Sequence, residues 1–420
     1  MREPVSRFRH LGRRLPGPED RRLVVLTGAR QTGKTTLARA RWADLRYLNL
    51  DDLELRRTVR DVPTVRWPSD VGPAVIDEAQ KEPAVFDKVK HAFDAGSLAF
   101  SALLGSSRIL LMEKVRETLA GRAFVFDLWP LMPSELLHAA DADPPPPLLD
   151  QLLDPAREVA ATLRETAPAL LPDDDAPRRH AFEHLCRWGG MPELLRLDNA
   201  DRREWLRSYQ QTFLERDLAD LARLHDLEPF AALQKLCMLR TGGLLSFSEY
   251  ARDAKVAPTT ARRYLEYLRM SYQVLLLQPY ARNLTSAVVK TPKVYWVDVG
   301  ILRHGTKHWG ELTGAQFESV VVTEIHKWVS TAGRAVDLSF YRTRSGLEVD
   351  LLAESDGRVL GIEVKARAGA ERTDCRGLRA LANALGDRWR GGLVVHDGTA
   401  IEELDAEARL WGVPAYRLLT

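Results

Sequence analysis

Apolar positions in the first third of the chain come in short runs set between stretches of helical spacing. Leu23 to Leu26, Val75-Ile76, Phe100 to Leu104 and Ala123 to Leu128 read as strands. Their alternation with helical sequence over 21–137 predicts an α/β domain. From about 178 to 275 apolar residues recur three and four apart, which predicts mainly helix, and no internal repeat is present. Strands return near 288–298, and a mixed pattern fills 310–420.

Two breaks interrupt this order. Pro144 to Pro147 remove successive N–H donors and force extended chain, and Pro172-Asp173-Asp174-Asp175-Ala176-Pro177 repeats the signal. The chain therefore divides into a basic N-terminal tail 1–20 (Arg2, Arg7, Arg9, Arg13, Arg14), an α/β domain 21–137, a Pro/Asp-rich insertion or linker 138–177, a helical domain 178–309, and an α/β domain 310–420.

Composition changes the picture little. At 420 residues, 45% hydrophobic and 28% charged, the chain is an ordinary globular one, and a net charge of +2 confines any nucleic-acid surface to a local patch. Cys186, Cys237 and Cys375 are isolated, which argues against a disulfide framework or a structural zinc site. No apolar run approaches the ~20 residues of a membrane span, and the basic start lacks a signal-peptide core. The expectation is a cytoplasmic protein with no membrane partner.

The strongest chemical signal is Gly28-Ala29-Arg30-Gln31-Thr32-Gly33-Lys34-Thr35-Thr36, which fits G-x-x-x-x-G-K-[ST] between a strand and a helix. Its glycines let successive N–H groups face a triphosphate, Lys34 reaches the β/γ-phosphates, and Thr35 ligates Mg²⁺. ATP and Mg²⁺ are the cofactors this predicts. Asp77, closing the strand Val75-Ile76, can hold the Mg²⁺ water shell, and Glu78 can orient or deprotonate the attacking water. At the tip of the strand Phe100 to Leu104, Ser106 or Ser107 is either a γ-phosphate sensor or a helix N-cap. Arg122 is either an arginine finger for a neighbouring subunit or a surface residue.

These segments, with L-L-G-S-S-R, L-A-G-R-A-F-V-F-D-L-W-P-L, Trp188 to Glu193, Ser208 to Asp217 and Lys293 to Gly300, resemble AAA-type ATPases widespread in bacteria and archaea. Those proteins carry a C-terminal domain of poorly defined function. The resemblance spans nearly the whole chain except 138–177, and Arg108 stands where the family more often has a neutral residue. By analogy it implies a homo-oligomeric ring, a hexamer, in which one subunit completes its neighbour's site.

Residues 246–268 read as a helix-turn-helix, with Ser248 as N-cap, a turn at Lys255 to Pro258, and Thr259, Thr260, Arg262 and Arg263 on the second helix facing DNA. Val274 to Leu277 and Lys293 to Val297 would supply the wing of a winged helix. A lid or oligomer contact is the other use of such a fold.

In 310–420 the order is a helix (Ala315 to Thr331), strands at Asp337 to Thr343, Leu347 to Ala353 and Arg358 to Ala366, a helix (Asp374 to Leu385), and a strand (Gly392 to His396). That order is shared with the restriction-endonuclease-like, PD-(D/E)xK, fold. Asp350, Glu363 and Lys365 form D-x12-E-x-K, with Glu363 and Lys365 on one strand face. Glu318 falls in the middle of the apolar stripe of Phe317, Val321, Val322, Ile325, Trp328 and Val329, whereas Glu324 falls beyond its edge. A carboxylate so placed needs a metal or Lys365 as partner. Glu318, Asp350 and Glu363 are thus candidate Mg²⁺ ligands of a nuclease-like site resembling Holliday-junction resolvases. The combined expectation is an ATP-driven machine acting on branched or structured DNA, its C-terminal domain binding or cutting DNA. A nucleotide-gated switch or defence-type scaffold, or an ATP-regulated nuclease, are the alternatives.

Overall fold

The computed structural model describes residues 6–106, 108–212, 227–280 and 291–420. Arg2, Ser107, 213–217 of the Ser208 to Asp217 segment, and 288–290 of the expected strand lie outside the described residues.

Strands β1 (Arg22–Thr27), β2 (Arg46–Asn49), β3 (Ala74–Asp77), β4 (Phe100–Gly105) and β5 (Ala123–Asp127) form a parallel sheet in the order β2-β3-β4-β1-β5. The near-continuous apolar runs of β1 and β4 arise because helices cover both faces. Thr27 is in register with Gly105, and Asn49 with Asp77, so the loops after β1, β3 and β4 leave from one edge. One face packs Leu23, Val25 and Ile76 against Val85, Phe86 and Val89. The other packs Val24, Leu26 and Ala102 against Trp42, Leu11 and Leu15.

Leu11 and Leu15 come from the segment expected to be a basic tail. The described part of that segment is an integral layer of the domain, with a 3-10 turn at His10–Arg13. The expected insertion 138–177 is also no extended linker after its prolines. It holds the helices Leu148–Leu153 and Val159–Glu165, whose Leu149, Leu152, Leu153, Val159 and Leu163 are buried in the main core. The second break starts a helix, Pro172–Trp188, because proline suits the first helical position and Asp173, Asp174 and Asp175 favour a helix N-terminus.

The other sheet has nine strands among the described residues: β6 (Gly243–Leu244), β7 (Val274–Pro279), β8 (Lys293–Trp296), β9 (Asp337–Arg342), β10 (Glu348–Ser355), β11 (Arg358–Lys365), β12 (Trp389–His396), β13 (Glu402–Asp405) and β14 (Leu410–Pro414). Its order is β13-β14-β12-β11-β10-β9-β7-β8-β6. The expected hairpin of β7 and β8 exists, yet β7 also pairs in parallel with β9, Gln278 opposite Ser339. The expected boundary at 309/310 therefore separates no cores: one sheet and one apolar cluster run through both regions. The helix–three strands–helix–strand order appears as read, and β13, β14 and the helix Ala415–Leu419 extend it. The two helices expected at 246–268 are Phe247–Asp253 and Pro258–Met270. Ser246, not Ser248, is the N-cap, since Ser246 has extended backbone and its hydroxyl accepts from Glu249 N.

Helix Gly314–Ala332 corrects the amphipathic reading. Sheet strands cover one side and the N-terminal domain another, where His10 meets Trp328 edge-on and Trp129 donates to Ser330 Oγ at 3.1 Å. Glu324, expected beyond the buried edge, is therefore only 3% exposed and pairs with the buried Lys327 at 2.6 Å.

Gly190 locks the parts together. Its carbonyl accepts from Leu131 N at 2.7 Å, and its own N–H donates to Asp298 Oδ2 at 2.9 Å. Asp298 Oδ1 also caps the helix Val299–Thr306 through Ile301 N. A Cβ at Gly190 would lie 2.2 Å from Leu131 O. Gly190→Ala is thus expected to destabilise the chain by about 2 kcal/mol or more, read as a lower urea midpoint. An unchanged midpoint would show that the junction yields without cost.

Candidate nucleotide site

The loop after β1 reverses through left-handed backbone at Gln31 and Gly33, which turns its N–H groups inward and starts the helix Lys34–Arg41. Lys34 is buried and donates to Gly28 O at 2.9 Å and Ala29 O at 2.7 Å, placing its ammonium inside the loop's curve. Gly28 is required by contact: a Cβ there would lie 2.2 Å from Leu128 O.

Asp77 is the hub of the opposite wall. Its Oδ2 accepts from Thr35 Oγ1 at 2.6 Å and Tyr47 OH at 2.7 Å, and its Oδ1 from Glu78 N at 2.9 Å. A threonine hydroxyl and a carboxylate converging in this way fit Mg²⁺, which when bound would neutralise phosphate charge there. Burial and Asp77 push the Tyr47 hydroxyl well above the usual phenol range, so it stays a donor. Glu78 is held in left-handed backbone, its carboxylate accepting from Gln80 at 2.5 Å and Ser106 Oγ at 3.3 Å. Ser106, at the tip of β4, thus reaches the Glu78 carboxylate. Arg122 lies elsewhere, exposed and paired with Asp94 at 2.6 Å.

These residues open into a cavity of about 1450 Å³. Its walls include residues that sequence reasoning left without a role. From the N-terminal segment, Arg9 donates to Thr32 O at 3.2 Å and Trp129 O at 2.5 Å and sits 3.4 Å from Glu135. Burial works against the charge of both partners, and Glu135 offsets that cost for Arg9. From the helical region come Glu193, Arg196 and the stacked pair Trp205–Tyr209, ring centroids 5.2 Å apart. Nothing local marks Arg9, one of many arginines. Glu193 ends the Trp188 to Glu193 motif, the local signal that marks it.

The C-terminal acids form a separate cluster. Lys365 donates to Glu363 at 2.7 Å, and Asp350 Oδ2 accepts from Val364 N at 2.9 Å, so the D-x12-E-x-K residues converge. Glu318 faces them, but its partners are Lys293 at 2.9 Å and Tyr295 OH at 2.7 Å, not Lys365. Lys293 also lies 2.5 Å from Glu348 and 3.6 Å from Asp350. Among the described residues no group of three or more His, Cys, Asp or Glu side chains is arranged to hold a metal ion. Within the expected Mg²⁺ set of Glu318, Asp350 and Glu363, the Lys293 ammonium stands on the Glu318–Asp350 side. Burial, then Asp350, pushes both Glu318 and Glu363 above the usual carboxylate range. Lys293 and Tyr295 are two apart on β8 and so share a face, the one signal that could have found them.

In the helix Pro258–Met270, Thr259, Arg262 and Arg263 are exposed and Thr260 half-buried. Arg262 stacks on Phe247 at 3.9 Å.

Lys34→Ala and Arg9→Ala separate direct from indirect roles. Lys34→Ala is expected to weaken ATP binding at least about tenfold by removing a phosphate contact, and Arg9→Ala to weaken it less, by loosening the loop at Thr32. Titration with a fluorescent ATP analogue measures both; wild-type affinity in Lys34→Ala would refute the site.

Comparison with known proteins matches three segments of the chain. Residues 20–137 match a family described as "AAA domain", 179–308 a "Domain of unknown function (DUF8612)", and 313–416 a "Domain of unknown function (DUF4143)". Uncharacterized proteins of Mycobacterium tuberculosis and Mycobacterium bovis are each 28% identical over 378 residues, which is 87% of this chain and 73% of theirs. The Walker-type ATPase PABY2304 of Pyrococcus abyssi is similar at 15% identity and a TM-score of 0.42, over 70% of this chain and 94% of that one. The ORC2 protein of Aeropyrum pernix is similar at 16% identity and a TM-score of 0.31, over 64% of this chain and 84% of that one. No helix among the described residues is long and apolar enough to cross a membrane. With its P-loop, its Asp77–Glu78 strand end and the family match over 20–137, the N-terminal region is an AAA-type P-loop ATPase domain.

Proposed function

We propose that the chain is an ATP-hydrolysing AAA-type motor that acts on DNA, with branched or otherwise structured duplexes as its substrate. The observation that carries this reading is Tyr272, just beyond the helix Pro258–Met270. Its hydroxyl donates to Asp127 Oδ1 at 2.6 Å and lies 3.2 Å from Thr27 Oγ1, and Thr27 directly precedes Gly28 of the P-loop. Arg108, two residues after Ser106, lies over the Tyr272 ring at 5.1 Å and 3.5 Å from Asp127. Tyr272 holds left-handed backbone, a conformation that costs energy for a tyrosine and that these contacts fix in place. The ends of β1, β4 and β5 therefore meet one side chain anchored at the end of the basic helix. Hydrolysis at Glu78 shifts that contact and moves the face carrying Thr259, Thr260, Arg262 and Arg263 against DNA. The C-terminal domain supplies further DNA binding, and a homo-oligomeric ring with Arg122 serving a neighbour's γ-phosphate completes the motor.

A second reading, a nucleotide-gated switch that moves no DNA, draws support from the shared core of the middle and C-terminal regions. Such a body can change shape as a unit without translocating anything.

Steady-state ATPase rates decide between them. Glu78→Gln is expected to retain ATP binding and lose about 10²–10⁴-fold in turnover. Four-way junctions are expected to stimulate wild-type turnover more than duplex, with affinity falling steeply with salt. Replacing Arg262 and Arg263 by Glu, or Tyr272 by Phe, is expected to leave unstimulated turnover and remove the stimulation. Turnover indifferent to every DNA form, with no binding at low salt, would support the switch instead.

The assembly is tested by mixing. Arg122→Ala alone is expected to bind ATP and hydrolyse it slowly, and adding Lys34→Ala protein to restore part of the rate. Mixed oligomers without recovery would remove Arg122 from a neighbour's site.

A further inference from the structure

The C-terminal carboxylates meet in the pattern that a divalent cation uses elsewhere, but the space beside Glu318, Glu348 and Asp350 is taken by the chain itself. Lys293 reaches across the sheet face from β8, and its ammonium stands 2.9 Å from Glu318 on the helix, 2.5 Å from Glu348 and 3.6 Å from Asp350, both on β10. It is 2% exposed. The Phe340 ring lies 5.6 Å from it and Tyr295 hydrogen-bonds the same oxygen of Glu318, so the ammonium is walled in and the carboxylate held toward it. We infer that Lys293 is the resident cation of this cluster, and that the C-terminal domain consequently takes no divalent metal there and does not cut phosphodiesters by metal-assisted chemistry.

Three geometric facts support this. Mg²⁺ demands oxygen ligands at about 2.0–2.1 Å in octahedral array, and the ammonium occupies the space between Glu318 and Asp350 where such an ion would sit. Second, Asp350 spends Oδ2 on Val364 N, at 2.9 Å, leaving Oδ1 as the oxygen that faces Lys293. Third, Glu363 Oε1 is already paired with Lys365 at 2.7 Å, and Glu348 with Arg342 at 3.1 Å. An entering metal would have to strip the buried ammonium of Glu318 and Asp350 and leave it Glu348 alone, and weakening a buried pair on one side only is strongly unfavourable. On this assignment Lys293 ties Glu318 of the helix Gly314–Ala332 to Glu348 and Asp350 of the sheet by charge pairing.

The test counts bound Mn²⁺ by electron paramagnetic resonance on the full chain without nucleotide, where any P-loop contribution is common to every protein compared. Glu318→Gln and Asp350→Asn are expected to leave the wild-type Mn²⁺ isotherm unchanged. Lys293→Met is expected to gain one site at least roughly tenfold tighter than any in the same region of the wild type, and the gain to vanish when Asp350→Asn is added. A wild-type Mn²⁺ site abolished by Asp350→Asn, or no gain in a folded Lys293→Met, would overturn the assignment. Should Lys293→Met fail to fold, amine acylation of the wild type followed by mass spectrometry decides alone. Lys293 is expected to stay unlabelled with and without millimolar Mn²⁺, and labelling induced by Mn²⁺ would show that metal displaces it. ATP turnover and DNA affinity report on the motor reading separately, so failure of either proposal is distinguishable from failure of the other.

Discussion

The hydrogen bonds through Gly190 decide how the rest of the molecule can be arranged. Leu131 leaves the ATPase sheet four residues after β5 and bonds Gly190 O, while Gly190 N bonds Asp298, which caps a helix of the C-terminal body. The approach is so close that no side chain fits at Gly190, and Gly300 is as tightly held, a Cβ there lying 1.9 Å from Trp188 O. Because Glu193 and Arg196 follow Gly190 within a few residues, this junction aims them at the P-loop. The cavity is thus a product of a packing constraint remote from its chemistry.

Arg9 supplies the complementary constraint. By bonding Thr32 O on one side and Glu135 on the other, it ties the phosphate loop to the segment that leads into the helical region. A guanidinium suits this role because its fixed fork can serve two carbonyls and a carboxylate at once. A rotation of the helical region relative to the sheet must strain this tie or the Gly190 junction. The contact of Tyr272 with Thr27 and Asp127 avoids both ties, which is why the proposed motor routes its motion there.

What could be read from the sequence follows how local each signal is. The P-loop, the Asp77–Glu78 strand end and the strands around them rest on contiguous residues, and the structure places them together. Asp350, Glu363 and Lys365 were legible as a group because strand periodicity and a two-residue hairpin turn dictate their shared face. Failures came where burial was set by distant partners. Glu324 looked solvent-facing because a single helix stripe was assumed, whereas the helix Gly314–Ala332 is enclosed by both the second sheet and the N-terminal domain. The segment 138–177 looked like a linker because its prolines are local and the core that receives Leu149 and Leu152 is not.

The carboxylate cluster shows the same limit in its chemistry. A motif lists the acids on β10 and β11, but the cation that balances them comes from β8, beyond β9 and β7 in the sheet order. Burial raises the cost of every unpaired carboxylate, so Glu318 cannot stay charged in this place without a partner. Burial likewise works against the charge of Lys293, yet Glu318, Asp350 and Glu348 together hold it above the ordinary lysine range. Acids and lysine are therefore each tolerable only in the presence of the other. A nuclease-like arrangement can keep its carboxylates on these terms while its cation is covalently part of the fold, and the same spacing of Asp, Glu and Lys then serves cohesion where it would otherwise serve cleavage.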